Sequence, residues 1–163
     1  MEHVHFSHST VFQEKAEQTF SLHKKIIQEK LPRADVQHVG STVIPNCITK
    51  GDLDIQVRVL PEDFPKALAA LSKRYEINEG SVATESFRAL KDDSTDPPLG
   101  VQLTVIDSEF DFFWKFRDVL LRKEEYRKEY DDLKMQFEGK DMEAYRDAKN
   151  EFFQKLMKEP EFQ

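Results

Sequence analysis

The chain is short of several things, and each shortage removes a class of protein. Cys47 is the only cysteine, so neither a disulfide framework nor a thiolate zinc cluster can be built. No apolar run approaches the roughly 20 residues needed to span a bilayer. The N-terminus, MEHVHFSHST, lacks the basic start and apolar stretch of a signal peptide. The charge balance is acidic: 24 Lys and Arg against 31 Asp and Glu. The formal net charge is −7, which argues against non-specific nucleic-acid binding, because that needs a basic face to release counterions. A local basic pocket stays open. There is no internal repeat and no low-complexity linker. The expectation is a soluble cytoplasmic protein with no membrane partner.

What the chain does have is aromatic and charged material. Its 163 residues include 13 Phe, and 34% are charged. That length suits one domain with one core, expected over 1–163. Its most informative stretch is Val36 to Val59, VQHVGSTVIPNCITKGDLDIQVRV. A short apolar run ends in Gly40-Ser41. Farther on, Asp52, Asp54, Gln56 and Arg58 alternate with Leu53, Ile55, Val57 and Val59, the period of a strand with one polar and one apolar face. Side chains two apart on a strand point the same way, so Asp52 and Asp54 stand side by side. A divalent cation relieves the repulsion of two adjacent carboxylates. Mg²⁺ is hard, oxygen-seeking and usually shared with substrate phosphates. Gly40 and Ser41 can offer such phosphates close backbone approach, N–H groups and a hydroxyl.

The remaining elements follow in order. Residues 1–9 read as frayed, with His3, His5 and His8 on an exposed tail. Ser9 or Thr10 is placed to cap a helix running to about Lys30, with Phe12, Ala16, Phe20 and Ile27 on one face. Strands are expected at Asp35–Val39, Asp52–Leu60, Tyr75–Asn78, Val82–Leu90 and Gly100–Ile106. Ser41–Thr49 is a loop or single helical turn, and Gly40 at its start is a loop position where Gly40→Val is expected to cripple nucleotide binding while leaving the fold largely intact. Pro61 opens a helix carrying Phe64, Leu68 and Leu71, and DDSTDPP, Asp92 to Pro98, reads as a loop. From Ser108 onward the chain reads as helix, broken at Gly139-Lys140, with Asp141 capping the last segment. This order predicts an α+β fold, a mixed β-sheet flanked by helices with a helical C-terminal third.

Gly-Ser followed by Asp-x-Asp between apolar residues resembles the signature of the nucleotidyltransferase superfamily. The wider stretch HVGSTVIP…KGDLDIQV is similar to the GrpB family, on whose pattern His38, Gly40, Ser41, Thr42, Pro45, Lys50 and Asp54 match. Asp52 departs from it, since an apolar residue is usual there. The likeness continues through Phe116-Arg117-Asp118-Val119-Leu120, though Leu121 stands where Arg is usual. It goes on through Tyr130, Leu133 and Lys134, then Tyr145, Lys149 and Phe152. The resemblance implies a nucleotidyltransferase fold over the whole chain, a helix-and-sheet core at 10–107 and helices at 108–163.

That resemblance also implies a site. Asp52 and Asp54 would be its catalytic and Mg²⁺-holding pair. Gly40, Ser41, Thr42, Lys50, Arg117, Lys134 and Lys149 would bind a nucleoside triphosphate, and the nucleotidyl group would pass to an unidentified small-molecule or protein acceptor. Each residue also has a plainer role. The two carboxylates could solvate a strand edge, Lys50 could balance them, and the other three cations could pair with acidic neighbours on their helices. His38 is expected to support its neighbours rather than react, and Cys47 has no recognisable base partner. Active members of the superfamily add a third carboxylate. On the strand Gly100–Ile106 the polar-face residues are neutral, Gln102 and Thr104, which leaves Glu85, Asp107 and Glu109 as candidates. The alternative to an enzyme is a non-catalytic nucleotide-sensing or protein-interaction module.

Overall fold

The computed structural model describes residues 2–160 and 162. In chain order the elements are β1 (Ser7–His8), α1 (Gln13–Lys30), β2 (Asp35–Val39), β3 (Ile48–Thr49), β4 (Leu53–Val59), α2 (Phe64–Ser72), β5 (Glu76–Ile77), β6 (Phe87–Asp92), β7 (Leu99–Val105), α3 (Phe113–Arg122), α4 (Glu124–Gln136) and α5 (Met142–Met157). Five strands form one mixed sheet in the order β2-β4-β7-β6-β5. β4 and β7 run parallel, and the other pairs are antiparallel. The fold is α+β, a mixed sheet flanked by helices, as the element order predicts.

β4 is central because its alternate residues are apolar. Leu53, Ile55, Val57 and Val59 are all buried against Ala16 and Ile27 of α1 and Phe64, Ala67 and Leu71 of α2. The opposite face was read as polar; it is polar, and at Gln56 and Arg58 it is covered rather than open to water. Gln56 is fully buried: its amide donates to Asp111 (3.0 Å) and accepts from the Trp114 backbone N–H (3.2 Å). Arg58 makes a forked pair with Asp111 (2.8 and 2.7 Å) and reaches Asp35 (2.7 Å). The Trp114 indole N–H also donates to Asp111 (3.1 Å). One buried carboxylate thus fastens the start of α3 to the sheet. The three C-terminal helices close a second apolar cluster around Phe116, Leu120, Tyr130, Phe152 and Leu156.

Three expectations are corrected. Residues 2–9 are not frayed. The Val4 N–H donates to Lys140 O (3.0 Å), Gly139 N–H donates back to Val4 O (2.8 Å), and Val4 is buried against Met142 and Tyr145. β1 pairs with β3. His3, His5 and His8 serve separate partners at Gly139, Glu138 and Thr10. Second, neither Ser9 nor Thr10 caps α1, which starts at Gln13 after a 3-10 turn with no side-chain cap. Third, the segment expected as a strand at Val82–Leu90 is a strand only from Phe87, and it extends to Asp92. Upstream, Thr84 donates its N–H to Phe87 O (3.0 Å) and its hydroxyl accepts from Ser86 N–H (3.1 Å). That local turn uses the groups a strand would offer its neighbour. Asp141 does cap α5, accepting from Ala144 N–H at 3.2 Å.

Candidate functional site

Register places Asp54 between two residues that have no side chain. On one side β2 ends opposite it, at Val39, and Gly40 follows; on the other, Gly100 of β7 is its direct partner. Gly40 has φ +80°, a backbone that side-chain-bearing residues rarely adopt. A Cβ there would overlap Asp54 Oδ2 and lie 3.0 Å from the Asp54 Cβ, and a Cβ at Gly100 would lie 3.3 Å from Oδ1. The carboxyl occupies the space the two glycines leave. The tolerance expected of the Gly40 position is therefore wrong: any side chain there strains the backbone and displaces Asp54.

Asp54 is half-buried, and its charge is poorly compensated. Burial pushes its carboxyl up to about 6, and Asp52 adds to the rise while Lys149 and Lys50 oppose it. Asp52 lies just outside β4, and its carboxylate is partly exposed and paired with Lys50 at 3.4 Å. In this geometry Lys50 lies against Asp52, where its charge offsets the carboxylate's.

The loop after Gly40 is tied down from below. His38 Nε2 lies 3.2 Å from the Thr42 hydroxyl, which donates to Asp52 O at 3.3 Å. Thr42 therefore accepts at His38, which fixes the hydrogen on Nε2. Burial pushes His38 down to about 4, with the Arg117 charge adding to the fall, so the imidazole is neutral and supporting. Arg117 reaches the same corner, donating to His38 O (3.2 Å) while paired with Asp118 (2.9 Å). Lys134, only 1% exposed, sets its Nζ 3.2 Å from Ser41 Oγ and 3.3 Å from Cys47 Sγ, and donates to Ile48 O. Thr42 and Lys134 thus hold the loop from inside. Cys47 does have charged neighbours, Lys134 and Asp131 (3.3 Å), but burial pushes its thiol up.

Lys149 is half-buried and acts on Asp54, Lys134 and Tyr145 through its charge. In front of Asp54 opens a cleft of about 560 Å³, whose walls include Lys50, Asp52, Lys91, Gln102 and Arg146. Sequence reasoning missed Lys91 and Arg146, and also Tyr130 and Tyr145 as a buried hydroxyl pair 3.4 Å apart behind Ser41 and Lys134. The only available signal for Lys91 was its place at the end of a strand. For Arg146 it was adjacency to the motif residue Tyr145.

None of the three candidate third carboxylates reaches this cleft. Asp54 faces Gly100 at the start of β7. Asp107 and Glu109 follow the other end of that strand, roughly 20 Å away at ~3.3 Å per residue. Glu85 is beside them, because Val105 N–H donates to Ser86 O. Gln102 lines the cleft, whereas Thr104 is fully buried and donates to Gln102 O. Asp93 does line it, but is paired with Lys91 at 3.1 Å. Among the described residues no group of three or more His, Cys, Asp or Glu gathers to hold a metal. Asp52 and Asp54 are the two carboxylates that would hold one Mg²⁺, with phosphate oxygens and water completing it. They do not fit a two-metal pair.

Three comparisons bear on this geometry. A family model described as GrpB protein matches residues 9–159. A UPF0157 protein of Vibrio cholerae serotype O1 is 28% identical over 156 residues, covering 96% of this chain and 83% of its own. The crystal structure of conserved protein GrpB from Enterococcus faecalis superposes with a TM-score of 0.65 at 20% identity, covering 93% of this chain and 91% of that one. No helix among the described residues is long and apolar enough to cross a membrane.

Proposed function

The chain belongs to the GrpB family, whose fold is nucleotidyltransferase-like, and within that fold we propose that the cleft binds a nucleoside triphosphate together with Mg²⁺. One observation carries this reading. The Asp54 carboxyl is kept half-buried between Gly40 and Gly100, with Asp52 as its neighbour and Lys149 as a nearby ammonium. Such a carboxyl gains most from a cation. Mg²⁺ held by Asp52 and Asp54 would supply charge neutralisation to the phosphates. Gly40 and Ser41 offer backbone N–H groups, and Lys149 a cation, to the same oxygens.

Nucleotidyl transfer to an acceptor, small molecule or protein, is the finer form of this proposal. Neutral Gln102, where a third carboxylate would be useful, favours the second reading, a nucleotide-sensing module that uses the same cleft without transfer. The binding step separates from both. Mg²⁺ and each common ribonucleoside triphosphate are added singly and together, and the melting temperature is read. At a ligand concentration 100 times the dissociation constant, a specific site stabilises by ~2.7 kcal/mol, which is about 5–10 °C for a chain of this size. The combined shift is expected to exceed the sum of the separate ones, and Asp54→Asn to abolish the excess. Additive or absent shifts with every nucleotide would reject the shared site.

A further inference from the structure

The two carboxylates account for one end of the cleft, and the other end carries positive charge that they do not explain. Register sets Asp54 of β4, Gly100 of β7 and Lys91 of β6 in one row across the sheet, with Gly100 paired to both. Side chains in such a row share a face, so a carboxyl and an ammonium stand on either side of a residue with no side chain. Their backbones are about 10 Å apart, two strand spacings. The result is a trough floored by Gly100 and walled by Asp54 and Lys91. Arg146 of α5 and Lys50, from the loop before β4, also line it. Each of the three cations is held by a carboxylate: Lys50 by Asp52 (3.4 Å), Lys91 by Asp93 (3.1 Å) and Arg146 by Glu143 (2.6 Å). All six side chains are at least 30% exposed, so the pairs are weak and open to exchange.

Little on these walls could read a base. Among the described residues lining the cleft there is no Phe, Tyr or Trp. Leu90, Leu99 and Met142 are buried and offer little surface, which leaves Pro98 as the exposed apolar side chain. Of the two amides, Asn78 accepts from Gly80 N–H (3.3 Å) in a local turn. Gln102 sits at the carboxylate end, because a Cβ on Gly100 would lie 3.4 Å from its Nε2 and 3.3 Å from Asp54 Oδ1. The N-terminal wall adds exposed Glu2 and His5, the latter drawn to Glu138 (3.6 Å). We propose that the cleft recognises the Mg²⁺-bound polyphosphate chain and is indifferent to the nucleoside it carries. The chain lies across Gly100, from the metal on Asp52 and Asp54 to Lys91 and Arg146. Lys50 joins through the metal. Mg²⁺ on Asp52 takes the carboxylate that holds Lys50, and the freed ammonium turns to the phosphates. The ligand class is any nucleoside triphosphate, with inorganic tripolyphosphate as its minimal member. This inference rests on the reading of the cleft as a shared triphosphate and Mg²⁺ site.

The test is calorimetric titration with inorganic tripolyphosphate and with each common ribonucleoside triphosphate, in the presence and absence of Mg²⁺. The nucleotides are expected to bind within about fivefold of one another, and tripolyphosphate as well as they do, all coupled to the metal. Free nucleosides should not bind. Lys91→Gln and Arg146→Gln should each weaken every ligand alike by at least about tenfold, the loss of one charge-assisted hydrogen bond. Lys128→Gln, the same charge change on the exposed surface of α4, should leave the affinities unchanged. Lys50→Gln should weaken binding only when Mg²⁺ is present. A larger preference for one base, or tripolyphosphate bound more weakly than the nucleotides by that factor, overturns the inference and leaves the triphosphate site standing. Absence of metal-coupled binding by every ligand overturns both. Coupled binding of tripolyphosphate alone keeps the trough and overturns the nucleotide reading. Unchanged affinity in Lys91→Gln and Arg146→Gln, or an equal loss in Lys128→Gln, overturns the trough. An equal loss in Lys50→Gln without metal overturns the exchange at Asp52. The ligand comparison on the unsubstituted chain decides the base question whatever the variants do.

Discussion

Asp54→Asn is expected to raise the melting temperature of the ligand-free protein at pH 7.5 by up to ~10 °C, and to leave it unchanged near pH 4. Burial lifts the Asp54 carboxyl to about 6 from its ordinary value of 3.8. The folded chain therefore holds a proton that the unfolded chain has already lost between those values. Stability falls as pH rises through that window, and the full cost is present above it. Two pKa units correspond to roughly 3 kcal/mol at most, and a chain of this length melts about 2–4 °C higher per kcal/mol recovered. Asparagine keeps the shape without the charge. Calorimetric melts at pH 4 and pH 7.5 check the result, and an equal shift at both would show that Asp54 carries no unpaid charge. A stability gain that coincides with loss of nucleotide coupling is what a functional carboxyl should give.

Asp111→Ala is expected to have the opposite sign and a larger size. Asp111 is 5% exposed, and it accepts from Gln56, the Arg58 guanidinium, the Trp114 indole and the Asp107 N–H. Its removal leaves a guanidinium, an amide and an indole facing a void. Breaking a buried pair from one side costs about 3–5 kcal/mol, which urea titration would read as a lower midpoint at unchanged slope. Arg58→Met combined with Asp111→Leu should cost much less than the sum of the two single changes, since no buried charge is stranded. The acid limb has a definite sign. Burial is the largest single effect on the Asp111 carboxyl and raises its pKa, but the Arg58 guanidinium, the Asp107 N–H and the Gln56 amide together outweigh it and hold the carboxyl below its ordinary value. Its contribution is therefore present above the unfolded carboxylate's pKa and is lost as pH falls through the lower, folded one. Additive single and double variants would show that Asp111 is not the common partner.

The sequence and the structure agree where period carries the information. Leu53, Ile55, Val57 and Val59 announce β4 because strand geometry puts them on one face, and the helical stripe around Phe116 and Leu120 works in the same way. Gln56 and Arg58 are a different case. Their alternation is that of a water-facing row, but what lies over them is Asp111 and Trp114, more than fifty residues on, and nothing local encodes that pairing. Val4 was read as part of a frayed tail because two backbone hydrogen bonds to Gly139 and Lys140 fix it, and backbone bonds leave no trace in side-chain pattern. In the site, Gly40, Ser41 and Asp54 were visible as motif letters. That Asp54 needs Gly100 beside it was not, since the register of β7 against β4 is set by the whole sheet. The same register sends Asp107 and Glu109 to the far end of the sheet, although in sequence they lie close to Gln102.

His38 and Asp54 leave β2 and β4 at the same corner, and their titrations are displaced in opposite directions. At pH 5 an unfolded chain carries a protonated imidazole and an ionised carboxylate at these positions. In the folded chain, where His38 is pushed down to about 4 and Asp54 up to about 6, the imidazole is neutral and the carboxyl holds the proton. Folding therefore moves one proton from residue 38 to residue 54 and exchanges almost none with the buffer at these two sites. The pair is neutralised by internal transfer, with no ion pair drawn into the sheet, and the two pH slopes cancel between about 4 and 6.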